Sequence, residues 1–243
     1  MSISRSKTLI VIPAFNESAV LGSVLNDIKQ HLPDLSYLVV DDGSRDNTHL
    51  VAEQEDVTVL RLPFNLGVGA AMRLGFIYAV ENQFDNVIQI DADGQHNPAD
   101  VPSLLSQLNN YDLVIGARFA GKGEYQAVGP RRWAMWVLSK SLSRVAKTTL
   151  TDTTSGFRAS GPAAVQLFSQ NYPAEYLGDT VESLVIAARS GLRINQVPVT
   201  MRERQGGKPS QNPAKAMIYL IRATVALLIA LAQPIRTSTE GSE

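Results

Sequence analysis

The chain has 243 residues, 44% of them apolar, and a formal net charge of −1, which suits one α/β-sized domain with a real core. It has no cysteine and three histidines (His31, His49, His96), which excludes a disulfide frame, a thiolate metal site and a cysteine nucleophile. Any metal would sit mostly on oxygen.

The first residues, 1–7, are polar and run straight into a strand-like segment, so no signal peptide is expected and the expected compartment is the cytoplasm. Short apolar runs bounded by Pro, Asp, Gly or Asn predict strands at 8–12, 37–40, 57–60, 87–90 and 113–115. Between them, apolar spacings of three and four predict helices at 18–30, 48–54, 67–81 and 100–108. This alternation predicts a mostly parallel sheet flanked by helices, and continuous apolar strands such as Leu9 to Ile12 imply burial on both faces. Further along, 121–129 reads as a loop, 131–149 as a helix and 152–160 as a strand with a polar start. The segment 179–190 reads as a helix, 192–199 as a strand and 202–213 as a Gly/Pro-rich loop.

In open sheets of this kind ligands bind at the carboxyl ends of the strands. The conspicuous polar residues fall there. Pro13, Asn16 and Glu17 follow the first strand, Asp41, Asp42 and Ser44 the second, Asp91, Asp93, Gln95 and His96 the fourth, and Arg118 the fifth. Asp91 and Asp93, one residue apart after a buried strand, can reach toward one point, and hard carboxylate ligands suit Mg²⁺ or Mn²⁺ shared with a diphosphate. An Asx turn capping the next helix is the competing reading of that pair. Asp41 could accept a hydrogen bond from a uracil or guanine ring N–H or a ribose hydroxyl. The run from Asn65 to Ala71 imitates a dinucleotide fingerprint, but Met72 stands where its third glycine belongs, which disfavours a nicotinamide enzyme.

Charge is unevenly divided. Residues 16–112 carry fifteen acidic and four basic side chains, whereas 118–147 carry seven basic to one acidic and 193–222 six to one. An acidic half would hold a cation and the basic segments would meet an anion, a phosphate or a lipid surface, unless these charges simply solvate helix faces. The basic stretches lack any nucleic-acid-binding motif, so no nucleic-acid partner is expected.

Val11-Ile12-Pro13-Ala14-Phe15-Asn16-Glu17, Asp41-Asp42-Gly43-Ser44, Asn65-Leu66-Gly67 with Gly69, and Asp91-Ala92-Asp93-Gly94-Gln95-His96 together resemble glycosyltransferase family 2, with its GT-A fold. Gln95-His96-Asn97-Pro98, Gly116-Ala117-Arg118 and Asp152-Thr153-Thr154-Ser155-Gly156-Phe157-Arg158 resemble the dolichyl-phosphate mannose synthase-like branch, which moves a hexose onto a polyprenyl phosphate. The resemblance implies a GT-A domain over 1–212, with 8–118 the nucleotide-sugar half and 119–212 the acceptor half, followed by a C-terminal apolar helix and polar tail at 213–243. It implies nucleotide-sugar contacts at Pro13, Ala14, Asn16, Glu17, Asp41, Asp42, Ser44, Gly67, Asp91 and Ala92, and a metal, Mg²⁺ or Mn²⁺, on Asp91 and Asp93 with Gln95 nearby. Phosphate or acceptor contacts would come from Arg118, Arg131, Ser155, Arg204 and Lys208. The branch usually carries Arg-x-x-Gly-x-Ser-Lys in its late loop. Here Arg204-Gln205-Gly206-Gly207-Lys208-Pro209-Ser210 keeps the arginine and glycine but moves the lysine.

Direct displacement at the anomeric carbon would invert its configuration, with Asp93 among the catalytic groups. A phosphate acceptor needs no base, whereas a sugar hydroxyl would, and Asp179 and Glu182, one helical turn apart, are then the candidates. The same pair would also serve as a helix N-terminal dipole contact and a solvated face. The apolar segment 217–232 has sixteen residues with an internal Arg222, short of the roughly 20 needed to span a bilayer. It reads as an in-plane membrane helix, a docking helix for a small membrane protein or second subunit, or ordinary packing on the domain. Trp133 and Trp136 would add an interfacial contact or belong to the core. The leading expectation is a peripheral polyprenyl-phosphate hexosyltransferase at the cytoplasmic membrane face, using a UDP- or GDP-linked sugar. The alternatives are transfer to a saccharide or small-molecule hydroxyl, and a catalytically idle relative that serves as a binding subunit of a membrane protein.

Overall fold

A computed structural model describes residues 7–118, 139–140, 142–144, 146, 148–173 and 179–204 of the chain. The expected 121–129 loop, most of the 131–149 helix with Trp133, Trp136 and Arg131, the late loop from 205 on with Lys208, and the 217–232 helix lie outside those residues.

The strands are β1 (Thr8–Ala14), β2 (Ser36–Asp41), β3 (Thr58–Arg61), β4 (Asn86–Gln89), β5 (Leu113–Ala117), β6 (Arg158–Ser160) and β7 (Ile194–Pro198). They form one sheet of order β3-β2-β1-β4-β6-β5-β7. All pairings are parallel except those of β6, which runs antiparallel between β4 and β5. The chain steps outward from β1 to β3, then returns to lay β4 on the other side of β1. That reversal opens the crevice at the carboxyl ends of β1 and β4.

The helices are α1 (Leu21–His31), α2 (Thr48–Gln54), α3 (Val68–Glu81), α4 (Val101–Gln107), α5 (Pro162–Asn171) and α6 (Asp179–Arg189). Alternate side chains of β1 enter opposite cores. Leu9 and Val11 pack with Met72, Phe76, Phe168 and Leu184 of α3, α5 and α6, while Ile10 and Ile12 pack with Leu21, Leu25, Ile28 and Leu104 of α1 and α4. Both faces are buried, as the continuous apolar run requires, and each such side chain contributes about 1.5–3 kcal/mol relative to exposure. Gly75 lets α3 close onto β1, since a Cβ there would meet Val11 Cγ1 at 2.5 Å.

Two elements depart from the sequence expectation. The strand expected over 152–160 is ordered as β only at Arg158–Ser160, because 152–157 is a polar loop tied by side-chain bonds across the sheet edge. Helix α5 was not expected. Its signals are Pro162 at the first turn and buried Ala164, Val165 and Phe168, a short stripe. Among the described residues, no helix is long and apolar enough to cross a membrane.

Candidate active site

The turn after β1 is fastened to the turn after β2 by side chains acting on backbone. Asn16 holds a positive φ of 56°, unusual for a residue with a Cβ. Its N–H donates to Ser44 Oγ at 2.9 Å and its Oδ1 accepts from the Arg45 N–H at 2.8 Å. Glu17 N–H donates to Thr48 Oγ1 at 3.0 Å, and Ser18 N–H to Asp46 Oδ2 at 3.2 Å. Pro13 and Ala14 lie in register with Val40 and Asp41. This lattice sets Glu17 and Asp41 at the strand ends, and each keeps one buried carboxylate oxygen, Glu17 Oε2 and Asp41 Oδ2, with no hydrogen-bond donor. Orphaned buried oxygens of this kind are costly unless a ligand completes them.

After β4 the chain makes a second carboxylate turn. Gln89 Nε2 donates to Asp91 Oδ1 at 3.1 Å. The Asp91 N–H donates to His96 Nδ1 at 3.0 Å, so the ring proton sits on Nε2, which faces Asp91 Oδ2 at 3.6 Å. The buried His96 ring stacks on Phe157, with centroids 4.8 Å apart and planes 13° from parallel. Ala92 is buried, Gly94 supplies a φ of 78°, and Gln95 N–H closes the turn onto Asp93 Oδ1 at 3.0 Å. Gly156 presses on this turn from the other side, since a Cβ there would stand 3.1 and 3.3 Å from the Asp91 carboxylate oxygens.

The segment after β7 crosses over both turns. Met201 bridges His96, Arg202 N–H donates to Gln95 O at 2.9 Å, and Arg204 Nη2 lies 3.5 Å from Glu17 Oε1 and 3.5 Å from Asp93 Oδ2. Burial raises the Asp93 carboxyl above its ordinary range, and the neighbouring Asp91 charge raises it further. Burial likewise raises Glu17, partly countered by Arg204. A guanidinium drawn between Glu17 and Asp93, with Glu17 Oε2 still without a donor, marks a place where positive charge is needed. The donor set is hard oxygen, so Asp91, Asp93 and the adjacent Gln95 fit a Mg²⁺ or Mn²⁺ ion. Among the described residues no three histidine or acidic side chains form a metal cage by themselves. Mg²⁺ is commonly bound by one or two carboxylates, with its shell completed by water and substrate phosphates.

Three residues expected to contact ligand make hydrogen bonds within the protein. The Asp42 carboxylate is 3% exposed and accepts the N–H groups of Leu66 and Gly67, each at 2.8 Å. Asp42 and Gly67 thus clamp the loop that leads into α3. Burial raises the Asp42 carboxyl, and the two backbone bonds only partly offset it. Ser155 is buried and its Oγ accepts from the Phe157 N–H at 3.3 Å. Arg118, expected to face phosphate, is held by the fully buried Asp152, with Nε to Oδ2 at 2.7 Å and Nη2 to Oδ1 at 2.9 Å. Burial works to raise Asp152, but the Arg118 guanidinium outweighs it and holds the carboxyl low.

Glu182 is exposed on α6, and the side chain of Asp179 lies outside the described residues. The turn that carries them is docked by Arg158, which was not among the expected site residues. Its buried guanidinium donates to Ser155 O, Thr180 O and Ser183 Oγ, each at 2.8 Å. Gln89, His96, Gly156 and Asp152 also build the site without having been expected as ligands. His96, Asp152 and Gly156 lie in motifs the sequence already singled out, and Gln89 stands out as a glutamine inside an apolar strand.

The model of Glycosyl transferase family 2 matches residues 9–166. The chain is 32% identical over 209 residues to the undecaprenyl-phosphate mannosyltransferase of Micrococcus luteus, covering 83% of this chain and 86% of that protein. It is 28% identical over 210 residues to the UDP-N-acetylglucosamine–dolichyl-phosphate N-acetylglucosaminyltransferase of Methanococcus voltae, covering 78% and 83%. Among solved structures it is similar to glucosyl-3-phosphoglycerate synthase from Mycobacterium tuberculosis, crystallised with Mn²⁺, UDP and glucosyl-3-phosphoglycerate. That likeness has a TM-score of 0.70 at 22% identity and covers 95% of this chain and 82% of that one. The likeness is one of fold, the GT-A arrangement of a mostly parallel sheet flanked by helices. With the family match spanning most of the sheet and both carboxylate turns, the chain belongs to glycosyl transferase family 2.

Proposed function

We propose that the protein transfers a hexose from a nucleotide-sugar to a polyprenyl phosphate at the membrane surface, holding the donor diphosphate at Asp91 and Asp93 through Mg²⁺ or Mn²⁺. The observation that carries the reading is the convergence of Glu17, Asp91 and Asp93 at one sheet edge, with Arg204 drawn onto Glu17 and Asp93. The relatives named above act on undecaprenyl and dolichyl phosphates, which supports the acceptor class. Mn²⁺ and UDP in the M. tuberculosis structure support the metal and the donor type.

An acceptor phosphate oxygen attacks the anomeric carbon as the bond to the nucleoside diphosphate breaks, and the configuration inverts. A phosphate monoester has its second pKa at roughly 6, so the nucleophile is already ionised and no general base is needed. The exposed position of Glu182 agrees with that. A divalent cation bound by Asp91 and Asp93 would neutralise the charge that develops on the leaving diphosphate. Arg204 is placed to follow that charge, because its guanidinium already spans the edge between Glu17 and Asp93. His96 and Gln89 orient Asp91, and Gly156 keeps the backbone close to it. The apolar 217–232 segment would supply contact with the bilayer, a small membrane protein or a second subunit.

The test incubates the full chain with a panel of labelled UDP- and GDP-sugars, Mn²⁺, and either undecaprenyl phosphate or soluble saccharide acceptors. Label extracted into the organic phase only with the lipid phosphate supports the reading. Label confined to water-soluble product, or no transfer from any donor, overturns it.

A further inference from the structure

The two arginines of the segment after β7 join the same two parts of the fold. Arg204 lies between Glu17 and Asp93. Arg202 repeats that bridge through other residues, its Nη1 donating to Asp27 Oδ2 and its Nη2 to Asn97 Oδ1 at 2.7 Å. Asp27 stands in the second turn of α1, and α1 is continuous with the Glu17 turn, because the N–H groups of Val20 and Leu21 donate to Glu17 O at 3.1 and 2.9 Å. Asn97 follows the turn that carries Asp93, which the Gln95 N–H closes. The backbone is fastened at the same place. Arg202 N–H donates to Gln95 O at 2.9 Å, Met201 bridges His96, and Thr200 N–H donates to Asp100 Oδ2 at 2.8 Å. The Arg202 and Asp27 side chains are mostly buried, 32% and 27% exposed, so solvent and salt only partly screen the pair. Neither Asp27 nor Asn97 is among the residues assigned to the donor or the metal.

We propose that Arg202 is a positioning residue for donor binding. Clasped by Asp27 and Asn97, it holds the 200–204 segment across the site, so that Arg204 meets the donor diphosphate already in place. This rests on the donor-site reading given above. An arginine side chain has many rotamers, and ordering both it and its backbone at the moment of binding would be subtracted from the affinity. The Arg202 clasp makes that ordering part of folding. Two charge-assisted bonds from one planar guanidinium, to partners on separate elements, fix direction as well as distance, which the compact ammonium of lysine does less well. Asn97 is itself held, since its Oδ1 also accepts from the Ala99 N–H at 3.3 Å. Both ends of the Arg202 guanidinium are engaged by Asp27 and Asn97, so its effect on the donor passes through Arg204.

The test is calorimetric titration of the full chain with UDP and with GDP at saturating Mn²⁺, for wild type, Arg202→Met, Arg202→Lys, Asp27→Asn, Arg204→Met and the double variant Arg202→Met/Arg204→Met. For whichever nucleotide wild type binds more tightly, Arg202→Met is expected to weaken binding by about tenfold and Asp27→Asn by about fivefold, with Arg202→Lys recovering part of the loss. The double variant is expected to bind within about threefold of Arg204→Met alone, because the clasp then has no guanidinium left to position. Thermal unfolding checks that each variant keeps its fold. Should Arg202→Met not fold, the same cycle with Asp27→Asn in its place tests the clasp from α1. Binding within about threefold of wild type in the folded clasp variants, or losses that multiply in the double variant, overturns the positioning role and leaves the donor site standing. Binding of neither nucleotide to wild type overturns the donor site and the inference with it.

Discussion

Asp42→Asn separates a structural carboxylate from a ligand-binding one. Its two oxygens accept the Leu66 and Gly67 N–H groups at 2.8 Å each, from a position 3% exposed to solvent. Asparagine keeps one acceptor and turns an amide NH₂ toward the other donor, so one charge-assisted bond worth about 1.5–3 kcal/mol is lost. The raised carboxyl shows that burial already penalises the charge, a cost the neutral amide avoids. The net expectation is a loss of about 2 kcal/mol, which for a chain of this size lowers Tm by roughly 4–8 °C. Circular dichroism melts at pH 7 measure it, alongside the donor KM in the lipid-transfer assay. KM is expected to stay within about threefold, since the carboxylate makes no ligand contact in this account. A melt unchanged to within about 1 °C, together with a KM raised about tenfold or more, would refute the assignment.

Gly156→Ala tests the close approach of backbone to Asp91. The added Cβ would stand 3.0 Å from Gln89 Nε2 and 3.1 Å from Asp91 Oδ2, so these side chains must yield by a few tenths of an ångström. The expected result is a melt within about 2 °C of wild type and Mn²⁺-dependent UDP binding weakened by about tenfold, read by calorimetry. Unchanged binding would show that Asp91 tolerates displacement. Asp152→Asn removes the partner of Arg118 and is expected to cost about 2–3 kcal/mol at pH 7, below the usual range for a buried pair because Arg118 is partly exposed. The folded pKa of Asp152 is depressed, so its contribution is full above the unfolded value of about 3.9 and lost as pH falls through the lower folded value. Tm measured from pH 7 to pH 3 should therefore show wild type and variant converging only below about pH 4.

The parts of the fold that were legible are those whose burial is written locally. Leu9 to Ile12 is apolar at every position because both faces of β1 are covered, and the helices over 48–54 and 68–81 show their stripes directly. Strand β6 was legible only as the end of a longer strand expected over 152–160, since three residues carry no periodicity that would fix its start at Arg158. At the site, Asp91 and Asp93 announce themselves by sitting one residue apart after a buried strand. Between Asp41 and Asp42, by contrast, sequence could not say which carboxylate keeps an oxygen without a donor. That is decided by where Leu66 and Gly67 pass, some 24 and 25 residues later. The contact of Arg204 with Asp93 and the clasp of Arg118 by Asp152 join segments far apart in the chain, and no local spacing encodes them.

In the proposed function the strand-end carboxylates hold the donor through a divalent ion. Calorimetric titration of UDP and GDP into wild type and Asp93→Asn, with Mn²⁺ and again with EDTA, measures that claim. The prediction is nucleotide binding in wild type that weakens by about tenfold or more when the metal is removed, and a comparable loss in Asp93→Asn that added Mn²⁺ does not restore. Nucleotide binding that is equally tight with EDTA and with Mn²⁺, and unchanged in Asp93→Asn, would contradict it.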